Sequence, residues 1–293
     1  MKLPAPVKAS YEFAREVLRG YSKDNGALIS AAVSFYVFLS LIPMLLVAVA
    51  AAAYVLGSPE QAEATVLNKL RPAFAAGKSG AGIMSMVSEV VGEVVKGRGA
   101  ATGLGLVVLL WTGTTAVTNL GKAINLAWNT EQPAGFLKAR LVALLTFVAV
   151  GLLLGASFGV TAAIGAIKGS SRSFLGVSPG QWPWIWNFVG YVVPLSVTVG
   201  TFTTIYKILP NTYVRLTTAL IGGVFAGVLW EVAKQAFSFY VNNFAHFSKV
   251  YGSLGGIILL LIWINYSAIV TILGAEVASE TQRRRRRRAE EAS

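Results

Sequence analysis

Six stretches of the sequence are each apolar over the length that a membrane helix needs. They are residues 27–57, 101–120, 141–167, 184–209, 216–240 and 254–278. The hydrocarbon core of a bilayer is about 30 Å thick, and a helix that rises about 1.5 Å per residue crosses it with about 20 residues. The sequence therefore predicts an all-α fold, a polytopic membrane helix bundle with six transmembrane helices.

The composition agrees with lipid as the main solvent. Of 293 residues, 55% are hydrophobic and 13% are charged, whereas about 25% of the residues of a soluble domain are charged. Its 25 basic and 13 acidic residues are too few to cover a water-soluble fold of this size. The lack of cysteine excludes disulfides, thiolate metal sites and cysteine catalysis. We expect neither a metal nor a cofactor.

The basic residues decide the predicted orientation. An even number of spans puts both termini on one side of the membrane. Sixteen basic residues lie at the termini or in the connections on that side, and eight lie on the other side. Because cytoplasmic segments carry an excess of lysine and arginine, both termini are predicted to be cytoplasmic.

Two segments outside the predicted spans have the apolar spacing of amphipathic helices. Residues 8–22 carry apolar side chains three and four positions apart, with basic residues between them. This N-terminal helix either lies on the membrane interface or packs under the bundle. The first outer loop, residues 58–100, contains another such helix, with apolar positions from Ile83 to Val95. That helix rests on the outer leaflet, caps an outer vestibule or packs on the bundle.

A basic cytoplasmic tail, residues 281–293, follows a single six-span membrane domain predicted for residues 1–280. Basic clusters just after a span attract anionic headgroups, with about 1 kcal/mol for each residue near the surface. RNA binding and a disordered tail without a role are the alternatives, but no nucleic acid is expected as a partner. We expect anionic lipids to contact the six consecutive arginines of the tail, which are Arg283, Arg284, Arg285, Arg286, Arg287 and Arg288.

Glycines at four-residue spacing indicate close helix packing. The third predicted span contains Gly151, Gly155 and Gly159, and the fifth contains Gly223 and Gly227. Because lipid tails are as apolar as leucine, membrane helices associate through the close contacts that small residues allow. The same faces permit a homo-oligomer, since the spacing does not separate contacts within a chain from contacts between chains.

Two prolines predict bends within spans. Pro43 in the first span and Pro194 in the fourth each lack a backbone donor and free the carbonyl four residues earlier. Serine and threonine hydroxyls near both prolines can compensate for that loss. Bent helices with polar groups at mid-depth form the binding sites of many transporters. They also occur in membrane proteins that transport nothing.

Polar residues inside the predicted spans form the candidate site. Glu231 lies well into the fifth span, and Lys234 follows one turn later. With Asn265 of the sixth span and Tyr36 of the first, they are predicted to line an intramembrane polar site. Charges within a membrane are costly and rarely accidental, so the pair is either such a site or a structural lock. Glu276 falls near the cytoplasmic end of the sixth span, where we expect it to be hydrated.

From about residue 10 to residue 280 the sequence resembles the YihY/BrkB family of bacterial inner-membrane proteins. The resemblance rests on Asp24-Asn25, Ala31-Ala32-Val33-Ser34-Phe35-Tyr36, Leu39-Ser40-Leu41-Ile42-Pro43, Ala123-Ile124-Asn125, Leu209-Pro210-Asn211, Trp230-Glu231, Tyr251-Gly252-Ser253-Leu254-Gly255-Gly256, Trp263 and Gly274-Ala275-Glu276. The arginine-rich tail is not part of this pattern. The resemblance implies a six-helix protein of the bacterial cytoplasmic (inner) membrane. Members of the family have been labelled virulence factor, ribonuclease BN and putative transporter.

The residues disfavour the ribonuclease label. Hydrolysis of RNA at neutral pH usually needs clustered His, Asp or Glu for metal ions or acid–base chemistry. The single histidine, His246, is predicted to lie outside, away from cytoplasmic RNA. No HExxH, GxSxG or Walker-type motif is present. We therefore do not expect an enzyme.

The leading hypothesis is a transporter, or a lipid- or amphiphile-handling protein, that does not hydrolyse ATP. It rests on the bent first and fourth spans and on the charged pair in the fifth. The expected partners are the lipid bilayer with its anionic lipids and a small amphiphile or an anionic cargo. The alternative is a structural or scaffolding protein of the envelope membrane, in which buried polar pairs are locks and nothing is transported.

Overall fold

The computed structural model describes residues 5–56, 100–130, 135–169, 183–243 and 255–291, with the single positions 64, 68 and 88. Over these residues the fold is all-helical, as predicted. Each predicted apolar stretch coincides with one of the helices α2 to α7. The helices are α1 Ala5–Lys23, α2 Gly26–Leu56, α3 Ala100–Ala127, α4 Phe136–Gly169, α5 Pro183–Ile208, α6 Leu216–Asn243 and α7 Gly255–Glu291. The amphipathic helix predicted in residues 58–100 falls almost entirely outside the described residues.

Two of the described helices are long and apolar enough to cross a membrane by length and composition. They are Leu216–Phe237 within α6 and Ile257–Glu291 within α7. A third candidate is the pair α1 and α2. Their segments Val7–Lys23 and Gly26–Leu41 are long and apolar enough to cross a membrane only when the two are taken together as one bent span. A shorter apolar helix, Val192–Ile208, lies within α5. The chain is thus a helical membrane protein, and six spans with both termini in the cytoplasm stay a prediction.

The break between α1 and α2 has a local cause. The backbone N–H of Asp24 donates to the carbonyl of Gly20 at 2.9 Å, and Asn25 then adopts a left-handed conformation with φ of 54°. Asparagine tolerates this conformation better than most side chains do. The next residue, Gly26, lies against the ring of Tyr21, and a Cβ there would overlap that ring. The left-handed backbone at Asn25 and the close ring of Tyr21 at Gly26 therefore favour asparagine and glycine in this turn.

The chain forms two compact units, and each is described by itself. Unit 1 comprises Met1–Gly26, Gly121–Glu231 and Val270–Ser293. It holds α1, α4, α5, most of α6 and of α7 and the end of α3, and α4 packs against α5. Its core is apolar and mostly built from small or branched side chains, including Val17, Ile124, Val214, Ala219, Ala226, Ile272 and Ala275.

Tyr206 is the largest fully buried side chain among the described residues. Its hydroxyl donates to the carbonyl of Thr271 at 2.8 Å, and its ring stacks on Phe202 with 6.2 Å between centroids. Glycines on the neighbouring helices make room for it, since a Cβ at Gly222 on α6 or at Gly274 on α7 would meet the tyrosine. α5, α6 and α7 are thus packed around one aromatic side chain.

Unit 2 comprises Ala27–Leu120 and Val232–Ile269. Several hydroxyl residues are buried in it, and each donates to its own helix: Ser34 to the carbonyl of Ser30 at 2.5 Å, and Thr112 to that of Val108 at 2.8 Å. Such bonds satisfy a hydroxyl where water is absent. The rings of Phe237 and Trp263 also meet in this unit, with 5.0 Å between centroids.

The arginine run continues α7. The helix has 37 residues and ends at Glu291, which at about 1.5 Å per residue is about 55 Å. A bilayer core of about 30 Å leaves a considerable part of this helix outside the hydrocarbon. Arginine is a good helix former, and positive charge suits the C-terminal end of a helix dipole.

Candidate functional site

A groove runs between α5 and α6 in unit 1. Its volume is about 530 Å³. The lining is mostly apolar with a few hydroxyl groups, and consists of Leu195, Ser196, Val199, Gly200, Thr203, Thr204, Leu220, Val224 and Val228. The α6 wall is a row at four-residue spacing, in which Leu220, Val224 and Val228 are 47%, 46% and 52% exposed. The row presents apolar surface that water would not favour.

Gly200 keeps the α5 wall open. A Cβ built at this residue meets nothing within 4 Å. Next to the groove, α5 and α6 are in close contact. A Cβ at Gly223 would lie 3.0 Å from the carbonyl oxygen of Val199, and one at Gly227 would lie 2.7 Å from the Val199 side chain. The groove therefore exists because one glycine lacks a side chain while two others allow the helices to touch.

The threonines of the groove are bonded to their own helix. The Thr203 hydroxyl donates to the carbonyl of Val199 at 2.7 Å, and the Thr204 hydroxyl donates to that of Gly200 at 2.8 Å. Both side chains thus place their donors on the backbone, four residues earlier. Their remaining hydrogen-bonding capacity is as acceptors.

The predicted polar residues do not line this groove. Glu231 is half-buried on α6, one turn beyond Val228, and belongs to unit 1. Lys234 is exposed on the same helix, and Asn265 and Tyr36 are half-buried on α7 and α2. These three belong to unit 2. The structure places each on a predicted span, and their grouping around Glu231 stays a prediction.

Both prolines lie within continuous helices. Pro43 is buried in α2, and the nearby Ser40 hydroxyl donates to the carbonyl of Val37 at 2.6 Å. Pro194 is half-buried in α5, and Thr198 donates to its carbonyl at 3.0 Å. The hydroxyls thus bond carbonyls near the prolines, and the bends themselves stay predictions.

The glycines of α4 are less fully described. Gly151 is exposed, and a Cβ built there meets nothing within 4 Å. Gly155 and Gly159 lie on the same helix, and their surroundings are outside what the structure describes.

The side chain of Asn125 forms hydrogen bonds with the connections that follow α3 and α5, at one end of unit 1. Its Oδ1 accepts the backbone N–H of Asn211 at 2.6 Å, and its Nδ2 donates to the carbonyl of Leu209 at 3.4 Å. The Thr130 hydroxyl also contacts its Oδ1 at 3.0 Å. The connections after α3 and after α5 therefore meet at this end of the unit, which we call the polar end and define by Asn125, Asn211, Glu276, Ser279, Arg283 and Arg284.

Arg283 caps the C-terminus of α3. Its guanidinium donates to the carbonyl of Ala127 at 2.6 Å and to the Ser279 hydroxyl at 2.7 Å, and Ser279 donates to the same carbonyl. The last carbonyls of a helix have no partner within it, so a cationic donor there satisfies them and suits the dipole. Asn129, with φ of 49°, turns the chain away just beyond this cap.

Arg284 joins α7 to α1. It donates to Glu280 at 2.8 Å and to Glu16 at 3.0 Å, and its guanidinium lies 5.0 Å from the ring centre of Phe13. A hydrogen bond from the protonated form of Glu280 and one from Arg284 hold the pKa of Glu16 below its ordinary value. This contact brings the N-terminal and C-terminal helices together at the polar end.

The remaining arginines face outward. Arg285 donates to the Thr217 hydroxyl at 3.0 Å, and Arg286, Arg287 and Arg288 are exposed. The six arginines therefore divide into two that are engaged inside the protein and four at its surface. Contact with anionic lipids stays a prediction for this surface group.

Glu276 is buried, whereas its position near a span end led us to expect a hydrated side chain. The residue is 2% exposed, because α1 covers it and its Oε2 would lie 2.5 Å from a Cβ at Gly20. Its Oε1 has no hydrogen-bond partner among the described residues. The charged groups that act on it include Asp24, Arg283 and Lys23.

Comparison with known proteins adds the family. A family model described as virulence factor BrkB matches residues 17–293. The chain belongs to the BrkB family. Several motif residues of this BrkB-family chain lie at the polar end, where Asn125 bonds Asn211 and where Glu276 meets α1. Three of the six residues that define the polar end, Asn125, Asn211 and Glu276, thus belong to motifs on which the family resemblance rests.

Relatives of this BrkB-family chain carry two kinds of name. The putative ribonuclease-like protein YfkH of Bacillus subtilis (strain 168) is 30% identical over 284 residues, covering 94% of this chain and 96% of that protein. A UPF0761 membrane protein of Psychrobacter sp. (strain PRwf-1) is 28% identical over 281 residues, covering 94% of this chain and 49% of its own. A UPF0761 membrane protein of Pseudomonas aeruginosa (strain LESB58) is 35% identical over 175 residues, which cover 59% of this chain and 41% of that protein.

The chain thus spans nearly all of the Bacillus relative and about half or less of the other two. No solved structure matches this BrkB-family chain. Its family and its apolar helices make it a bacterial membrane protein. Within the part of the chain that the structure describes, no three His, Cys, Asp or Glu residues are grouped so as to hold a metal ion.

Proposed function

We propose that this protein binds an amphiphile in the groove between α5 and α6 and moves it within or across the bacterial inner membrane. The observation that carries the proposal is the groove itself, about 530 Å³ in volume and walled by leucine, valine and threonine. Small-molecule sites are typically about 300–1,000 Å³ and mostly apolar with a few polar groups. A single acyl chain with a small head fits this range.

We propose that Glu231 is the polar group at which the path of the amphiphile along the groove ends. It follows Val228, the last groove residue of α6, by one turn. A half-buried acid inside a membrane helix is a functional candidate by default. Lys234, Asn265 and Tyr36 complete the proposed intramembrane polar site.

The proposed orientation has both termini in the cytoplasm and six spans. It is supported by the contact of Arg284 with Glu16, since the first and last helices then meet at the same end of unit 1. The two connections held by Asn125 belong to this end as well, and the basic residues that flank or lie in them are Lys122, Lys138, Arg140, Lys207 and Arg215. An excess of basic residues marks the cytoplasmic side, where Arg285 to Arg288 would contact anionic headgroups.

The test is to fill the groove without disturbing the fold. Gly200→Leu places an apolar side chain in open space, because nothing lies within 4 Å of its Cβ. Gly151→Leu is the matched control, since that glycine is equally open and does not line the groove. Each variant is reconstituted in proteoliposomes, and binding and flip of a fluorescent single-chain amphiphile are measured.

We expect Gly200→Leu to lose binding and flux while Gly151→Leu keeps both, with similar thermal unfolding midpoints. Glu231→Gln should then bind the chain and lose flux. If Gly200→Leu binds and moves the probe like the parent protein, the groove is not the site, and the scaffolding alternative gains support.

A further inference from the structure

α1 exposes apolar side chains although one of its faces is packed against the rest of unit 1. The packed face holds the buried Val17 and the half-buried Phe13. Val7, Tyr11 and Leu18 are nevertheless 49%, 61% and 58% exposed. At about 100° per residue, these three side chains lie within about 40° of one another around the helix, on a side that the packed face does not include. We call these three residues the apolar row.

Basic side chains lie next to the apolar row. Lys8, Arg15 and Arg19 are exposed and also lie within about 40° of one another, about 80° around the helix from the apolar row. Lys8 contacts Glu12 at 3.9 Å, whereas neither Arg15 nor Arg19 forms an ion pair with a described residue. An apolar side bordered by basic residues is typical of a helix that lies at the boundary between acyl chains and headgroups.

The contacts of α1 place it beside the end of the last predicted span. A Cβ at Gly20 would meet Glu276, and Glu16 accepts a hydrogen bond from Arg284 at 3.0 Å, so α1 lies beside residues 276–284 of α7. That span is predicted to end at residue 278, and eight residues of helix rise only about 12 Å. This is the level at which hydrocarbon gives way to lipid headgroups.

We propose that the exposed side of α1 is a binding surface for anionic lipids, in which the apolar row enters the bilayer boundary and Arg15 and Arg19 bind lipid phosphates. Guanidinium groups suit phosphate, because they can donate two hydrogen bonds to it at once. A bilayer with anionic lipids supplies both the hydrocarbon and the negative charge that this surface lacks. A second copy of the chain would instead bring the same arginines to the contact, and like charges repel. The inference concerns α1 and does not depend on the groove.

The lack of cysteine in the chain allows a single label at a chosen position. Leu18→Cys carries a fluorophore on the apolar row, and Glu12→Cys carries one about 120° around the helix from Leu18. Each labelled full chain is reconstituted in phosphatidylcholine vesicles that contain a small fraction of a spin-labelled lipid. The spin-labelled lipid is phosphatidylglycerol, which is anionic, or phosphatidylcholine, which has no net charge. Quenching of the fluorophore measures how much of each lipid lies beside it.

We expect spin-labelled lipid to quench the fluorophore at Leu18 strongly and the one at Glu12 weakly. Phosphatidylglycerol should associate at Leu18 about fivefold more than phosphatidylcholine, the ratio that corresponds to about 1 kcal/mol from one basic residue near the surface. This lipid preference should fall in about 1 M salt, where the Debye length is about 3 Å.

Two charge variants locate the basic residues that cause the preference. Arg15→Gln with Arg19→Gln should bring the ratio at Leu18 to about one, while both lipids still quench the fluorophore because the apolar row is intact. Arg286→Gln with Arg288→Gln is the matched control, since it removes the same charge from exposed positions of α7, and it should leave the ratio near that of the parent protein. All four side chains are exposed, so the unfolding midpoints should be similar.

Two results would overturn the proposal. If neither lipid quenches the fluorophore at Leu18, the apolar row does not enter the bilayer. Energy transfer between labelled copies would then identify a second copy of the chain as the occupant. If both lipids quench equally in the parent protein, or if only the α7 control loses the preference, Arg15 and Arg19 do not bind anionic lipid.

Discussion

The backbone carbonyl of Gly274 lies where a side chain of Gly222 would begin. A Cβ on Gly222 would be 2.7 Å from that oxygen and 2.8 Å from the Cβ of Ala278. α6 and α7 therefore meet backbone to backbone in unit 1, beside the buried ring of Tyr206. Close approach of this kind is how membrane helices gain contact without a hydrophobic driving force.

Gly222→Ala should consequently destabilise the protein. The added methyl meets a backbone oxygen that has little freedom to move, and overpacking of this sort costs about 1–3 kcal/mol. Gly151→Ala should be neutral or slightly stabilising, because its Cβ has open space and alanine favours a helix over glycine by about 1 kcal/mol. Thermal unfolding in detergent measures both, and equal midpoints for the two variants would contradict the packing described here.

The sequence revealed only part of this contact. The four-residue spacing of Gly223 and Gly227 is visible in one helix, and a Cβ at either meets α5. Gly222 and Gly274 belong to different helices, and their approach has no spacing that a single sequence can display. Glycine spacing thus points to a smooth face and does not say which neighbour covers it.

Arg283 should stabilise the protein far more than Arg288. Replacing Arg283 by alanine removes donors to the Ala127 carbonyl and to Ser279, and hydrogen bonds from charged groups contribute about 1.5–3 kcal/mol each. Arg288→Ala removes an exposed side chain and should leave the unfolding midpoint unchanged. Similar losses in both variants would refute the division of the arginine run.

The division of the arginines was not foreseeable from composition. Six identical neighbours give no pattern, and only the rotation of α7 turns Arg283 and Arg284 towards the protein while Arg286 and its successors face outward. Glu276 is a similar case, because its burial depends on Gly20 of α1, far away in sequence. By contrast, the helices themselves follow from long apolar runs, which is why α2 to α7 were predictable.

The contact between α1 and α7 at Glu16 should weaken at low pH. Hydrogen bonds from the protonated carboxyl of Glu280 and from Arg284 lower the pKa of Glu16 from its ordinary 4.5, so the folded protein favours the ionised form of Glu16. That stabilisation is present above the unfolded pKa and is lost as pH falls through the lower folded value. Glu16→Gln should therefore lower the unfolding midpoint at neutral pH and flatten its fall towards acid.

The size of this effect is small because Glu16 is partly exposed, and exposed ion pairs contribute about 0.2–1 kcal/mol. Glu12→Gln is the control, since Glu12 contacts Lys8 at 3.9 Å on the exposed side of the same helix. The contact between α1 and α7 would be contradicted if both variants followed the parent curve from neutral pH down to about pH 3, below the ordinary pKa of a glutamate.

Tyr206→Phe should destabilise the protein by about 1 kcal/mol, the net contribution of one neutral hydrogen bond. The hydroxyl of Tyr206 donates to the carbonyl of Thr271, which keeps its own helical partner when the hydroxyl is gone, so the loss stays near this value. Tyr213→Phe is the matched control. Tyr213 is 73% exposed, and a phenylalanine ring there can still make the cation–π contact with Lys207. Thermal unfolding should shift downward for Tyr206→Phe alone, and a shift confined to Tyr213→Phe would mean that the α5–α7 contact contributes nothing to stability.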